Sequence, residues 1–154
     1  LSVLKNKRGE SRAEFVNVAN QIFTETLNFI TKLSSRYSRL LASDTIHLAS
    51  QVLDECEKAN SIYPHDDQRV ALRTAHLTEA RASLMALDVH MSHCYQVMML
   101  NPEGCFTTSS GRAVASSDAK RKLERMAESL GSLIDHENNL LIKVMNSDKT
   151  RNKK

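Results

Sequence analysis

The chain has 154 residues, 41% of them hydrophobic and 5% aromatic, with 4 glycines, 2 prolines, 21 Lys and Arg against 18 Asp and Glu, and a formal charge of +3. That length fits one domain able to bury roughly two thirds of its unfolded surface, and the scarcity of glycine, proline and aromatic residues favours a helical bundle over a sheet protein. No apolar run approaches the ~20 residues of a membrane span, no secretory leader is visible, and the mild basic excess permits a polyanionic partner without demanding one.

Residues 1–10 carry Lys5, Lys7 and Arg8 and are expected to form a basic, poorly ordered arm. Helix one then opens on Ser11 and Glu14, an S-x-x-E pair that predicts a capping box. Its inward positions are Phe15, Val18, Ala19, Ile22, Thr26, Phe29, Ile30 and Leu33. Ser34 and Ser35 mark the expected break, because hydroxyl side chains compete for backbone groups and favour helix ends. A second helix over about 36–60 would bury Leu41, Leu48, Val52, Cys56 and Ala59, although Ser43 and Asp44 offer a later cap.

Residues 61–67 include Pro64 and two aspartates, which predicts a short turn. The segment 68–99 follows with no Gly and no Pro, and it organises the chain. Leu77, Ala80, Leu84, Leu87, Met91, Cys94 and Met98 step alternately by three and four residues, which places them on one helical face. A second, weaker stripe, Ala82, Met85, Ala86 and Val89, lies more than a quarter turn away. It reads either as helix-forming alanine with two stray apolar side chains or as a seam covered by another subunit.

Asn101, Pro102, Glu103 and Gly104 then suit a turn opening a Ser/Thr-rich loop to about 116. A last helix from Ser116 or Ser117 to about Asn146 turns Leu123, Met126, Leu130, Leu133, Ile134, Leu141 and Val144 inward, leaving the basic tail 148–154 disordered. Four long amphipathic helices with mostly short connections predict an all-α, antiparallel up-and-down four-helix bundle over 11–147. The odd set Cys56, Cys94 and Cys105, without C-x-x-C spacing, points to a reducing, cytoplasmic setting with Cys56 and Cys94 in the core.

Enzyme chemistry finds little support in these residues. A di-iron bundle needs Glu-x-x-His pairs and none occurs, while His90 and His93 lie away from the main stripe, so neither a metal nor a cofactor is expected. Glu137 falls within the apolar stripe of the last helix, where an unpaired charge is costly; a cation such as Arg73, or a place near a bundle end, would meet that cost. The loop 104–112 has two glycines but lacks the phosphate-loop pattern.

Basic residues give the more informative pattern. Lys32, Arg36 and Arg39 follow helical spacing across the first break, Arg69, Arg73 and Arg81 line the first half of the central helix, and Lys120, Arg121, Lys122 and Arg125 crowd the start of the last. That last cluster stands against the helix dipole, which disfavours cations there. Arg36, Arg39, Arg69, Arg73, Arg81, Arg121, Lys122 and Arg125 are therefore the candidate contacts to phosphate or to an acidic partner surface. With few aromatics available for base stacking, such binding is expected to rest on charge and shape.

The run LASQVLDECEKANSIYP, a short turn and the helix HLTEARASLMALDVHMSHCYQ resemble the four-helix-bundle family of bacterial 23S rRNA intervening-sequence proteins and the accessory variability determinant proteins, Avd, of diversity-generating retroelements. The likeness is one of helix lengths, a small-residue-rich third helix and basic character, across roughly residues 15–144. It implies a homopentameric ring that binds RNA or DNA and works with a reverse transcriptase in template-primed cDNA synthesis and mutagenic retrohoming, itself without an active site. The two-sided central helix, with Ala82, Met85, Ala86 and Val89 as its seam, fits a ring. The alternative is a helical protein-interaction or assembly module whose charges only solubilise it.

Overall fold

The computed structural model describes residues 2–6, 10–106, 110–112 and 114–151. Their secondary structure is all-α: α1 (Val3–Asn6), α2 (Glu14–Ile30), α3 (Ser35–Asn60), α4 (Asp67–Met98), a 3-10 turn (Pro102–Cys105) and α5 (Ser116–Arg151). Among the described residues no helix is long and apolar enough to cross a membrane. Of the expected arm, Lys7 and Arg8 lie outside the described residues, as do residues 152–154 of the expected tail.

The start of α2 departs from the expected capping box. Ala13 occupies the N-cap position and makes no side-chain cap bond. Asn17 takes over instead, because its amide can both donate and accept. Its Oδ1 accepts from the Ser11 backbone N–H at 2.7 Å while its Nδ2 donates to the Ser11 carbonyl at 2.8 Å. A carboxylate at position 14 can only accept, and Glu14 lies 3.2 Å from Nε2 of His136 on α5.

The break at Ser34 and Ser35 falls where the hydroxyl pair places it, with Ser34 as the extended N-cap of α3. At the head of α4, Asp66 Oδ1 accepts from the Arg69 backbone N–H at 2.8 Å, satisfying one of the donors left open by the first turn. All seven residues of the α4 stripe are buried. They meet Ile22 and Phe29 from α2, Val52 and Cys56 from α3, and Leu123, Leu130 and Leu141 from α5 in one core. Cys56 and Cys94 are buried free thiols, as expected of small core residues, and burial pushes both thiols up.

The long helices pack in a closed cycle, α2 on α3, α3 on α4, α4 on α5 and α5 on α2. Side-chain pairs fix the registers. Glu55 meets His76 and Thr45 meets Cys94 between α3 and α4, Arg73 meets Asp148 and Arg81 meets Asn138 between α4 and α5, and Glu14 meets His136 and Glu25 meets Ser129 between α2 and α5. In each of these three pairings one residue number rises as the other falls.

α5 runs further than the sequence suggests. Its last turns include Lys149 and Arg151, where a disordered tail was expected, because Asp148 is buried and held by Arg73. The same pairing overturns the expected Arg73–Glu137 match. Glu137 is fully buried on the α5 stripe between Ile134 and Leu141, and neither carboxylate oxygen has a hydrogen-bond partner among the described residues.

Burial, reinforced by the negative charge of Glu14, raises the Glu137 carboxyl from 4.5 to about 8. The folded state thus keeps a proton that the unfolded chain releases above pH 4.5. Its contribution to stability is full below that value, falls as pH rises, and is lost above about 8, a swing of up to about 5 kcal/mol. Urea unfolding should show Glu137→Gln close to the parent near pH 5 and more stable than it near pH 9. Parallel pH profiles for the two proteins would contradict this.

Candidate nucleic-acid interface

The three basic clusters anticipated from the sequence do not share one surface. Because α2 ends and α3 begins at the same bundle end as the start of α5, Lys32, Arg36 and Arg39 come to the end that carries Lys120, Arg121, Lys122 and Arg125. Phe106 joins the two groups physically. Lys32 Nζ stands 5.4 Å from its ring centroid and Lys122 Nζ 5.3 Å from it. Arg125 and Asn28 line a groove between α2 and α5 one turn further along.

Arg36, Arg39, Arg121, Lys122 and Arg125 are exposed, and Lys32 is half-buried. Arg121 is turned back to Asp118 at 2.7 Å in an exposed pair, which water and salt screen strongly. Among the described residues Lys32, Arg36, Arg39, Lys122 and Arg125 lie in no ion pair with a carboxylate. Cations at the start of α5 meet an unfavourable helix dipole, so a bound anion would relieve them.

The arginines of α4 have different surroundings. Arg69 is exposed but paired with Asp66, the residue that caps its own helix. The ion pair and the backbone hydrogen bond from Arg69 hold the Asp66 carboxyl below its ordinary value, the backbone bond being the larger cause. Arg81 is half-buried and its Nε donates to Asn138 Oδ1 at 2.9 Å, bracing α4 against α5.

Arg73 is not disposed for phosphate contact as the sequence suggested. Its Nε donates to Asp148 Oδ2 at 2.6 Å, its Nη1 donates to the carbonyls of Ala59 and Ile62 at 2.9 and 3.3 Å, and its guanidinium lies 5.9 Å from the Phe15 ring centroid. Only 12% of this side chain and 6% of Asp148 reach solvent. At that same end of the bundle, Arg151 lies 5.0 Å from the Tyr63 ring centroid and donates to its hydroxyl at 2.8 Å.

The candidate seam on α4 faces outward. Ala82, Met85 and Val89 are exposed and Ala86 is half-buried, with Met85 and Val89 at 42% and 54%. Leu72 adds a further exposed apolar side chain on the same helix. His90 and His93 form a tilted pair with centroids 6.4 Å apart. Among the described residues no group of three or more His, Cys, Asp or Glu is placed to hold a metal.

Two contributors escaped the sequence reading. Phe106 sits in a loop without periodicity, and nothing in its neighbours indicates that two lysines from distant stretches of the chain converge on it. Asp148 lies beyond the last apolar residue of α5, although its four-residue step after Val144 and three-residue step after Met145 continue the inward face.

Compared with known proteins, the chain matches no family model, no curated protein and no solved structure.

The reassignment of Arg73 is directly measurable. Arg73→Met or Asp148→Asn should each cost about 3–5 kcal/mol in urea unfolding, since each leaves a buried, partly desolvated partner behind. The double variant Arg73→Met with Asp148→Asn should lose less than the two single losses added together. Strict additivity would separate the two residues.

Proposed function

We propose that this chain is a non-enzymatic, nucleic-acid-binding antiparallel four-helix bundle that contacts phosphates through the end carrying Lys32, Arg36, Arg39, Lys122 and Arg125. The observation behind this reading is the meeting of two basic stretches, some eighty residues apart in sequence, around one ring. Phosphate contact releases condensed counterions, so several such cations give affinity without any base-specific geometry. The free, buried thiols Cys56 and Cys94 suit a reducing, cytoplasmic setting.

The resemblance to the Avd and intervening-sequence proteins extends the proposal to a homopentameric ring that assists a reverse transcriptase in retroelement cDNA synthesis. Support for a ring comes from α4, whose inner stripe is buried while Met85 and Val89 remain exposed. Five copies of a +3 chain would present many weak phosphate contacts to one strand, and multivalency of that kind raises avidity without new contacts. The exposed Leu72, Met85 and Val89 also favour a second reading, an assembly module that takes a protein partner and no nucleic acid.

Reversing Lys122 and Arg125 together to Glu should weaken binding of a short single-stranded RNA and lower its log-log salt slope by about 1.4, at roughly 0.7 per phosphate lost. Arg69→Glu should leave the slope unchanged. Fluorescence anisotropy across a salt series reads both, and equal slopes for parent and double variant would remove the assignment. For the seam, light scattering should give five times the 17.3 kDa chain mass for the parent and the single-chain mass for Ala86→Glu. A parent that stays monomeric at every concentration would end the ring.

A further inference from the structure

Phe106 follows the 3-10 turn as its extended C-cap and packs, half-buried, at the edge of the core. The two ammonium groups beside it come from different elements at the bundle end, Lys32 from the turn after α2 and Lys122 from the second turn of α5. Both lie within 5.4 Å of the same centroid, so they stand no more than twice that distance apart. Among the described residues no carboxylate pairs with either of them. Two like charges thus converge on one aromatic ring, held by cation–π attraction that is weak where water has access.

A phosphate is a better partner than the ring for each ammonium, because it carries a full charge and its neutralisation releases counterions. A strand whose phosphates draw the lysines aside uncovers ring surface between two phosphate contacts. Bases within a duplex stack on one another and offer no free face, whereas an unpaired base does.

We infer that Lys32, Phe106 and Lys122 form a single-strand-selective element, in which the two ammonium groups transfer from the ring to neighbouring phosphates and the ring takes one unpaired base. This rests on the nucleic-acid reading of the same bundle end and specifies which form of nucleic acid it holds. No bond is made or broken; the exchange is between noncovalent partners. Stacking on an aromatic ring does not sense the sugar, so RNA and DNA single strands are held alike through this residue.

The test uses the full chain and 5′-labelled strands of about 12 nucleotides, oligo-rU and oligo-dT, beside a blunt-ended duplex of two complementary strands of about the same length. Phe106→Leu keeps an apolar side chain at the core edge and removes the stacking face. It should weaken binding of both single strands by about tenfold and alter duplex binding less than twofold. Phe106→Trp should retain binding, and because the chain has no other Trp its indole emission reports the site alone. That emission should be quenched by the single strands and not by the duplex. Equal losses on single strand and duplex, loss on only one of the two single strands, or unmoved indole emission would overturn the inference while leaving phosphate binding in place. A parent chain that binds neither single strand nor duplex would overturn both readings. Circular dichroism of each variant identifies a folding defect, and the indole readout then decides the matter.

Discussion

Arg73 is a side chain through which all four long helices meet at their shared end. It issues from α4, pairs with Asp148 on α5, caps the carbonyl of Ala59 in the last turn of α3, and covers the ring of Phe15 at the start of α2. A guanidinium suits this place because its planar fork spreads several donors over a fixed geometry, which a lysine ammonium cannot reproduce. Apolar burial supplies most of the driving force for the bundle, but burial is indifferent to small slides along the helix axis. A buried charge is not indifferent: displaced by a few ångströms it loses its partner in a poorly solvated setting. Arg73 therefore sets the register that the core fills.

Glu137 is the counterpoint within the same core. It occupies a stripe position that an aliphatic residue would fill without penalty, and the side chains around it offer its carboxyl no hydrogen bond. The fold tolerates this by keeping the group protonated, so the charge is avoided and the cost is reduced to an unsatisfied polar group. The two residues show opposite solutions to polarity inside a bundle, one neutralised by pairing and one by holding its proton.

The helices were legible in the sequence where periodicity was strong. The seven-residue stripe of α4 and the serine break before α3 follow from side-chain spacing and from hydroxyl competition for the backbone, both local properties. What could not be read locally was partner choice. Arg73 is one of several basic residues along α4 and only the fold distinguishes it, since Asp148 lies 75 positions away in sequence. Glu14 looked like a capping residue because its spacing from Ser11 was right, yet Asn17 could satisfy two backbone groups where a carboxylate could serve one. Phe106 carried no periodic mark at all. The candidate site shows the same division: the basic stretches were visible as sequence clusters, whereas their convergence at one end depended on the direction in which each helix runs.

α5 traverses the whole bundle from Ser116 to Arg151, and at 1.5 Å per residue its 36 residues span about 54 Å. Its first turns lie beside Phe106 and the lysines, and its last beside Arg73, Tyr63 and Asp148. From Lys122 to Asp148 the rise is about 39 Å, roughly five Debye lengths at physiological ionic strength. The two ends of the molecule are thus electrostatically deaf to each other. A change of charge at the Phe106 end therefore leaves the ionic balance of the Arg73 end unchanged, and the lock that holds the helices in register is insulated from it.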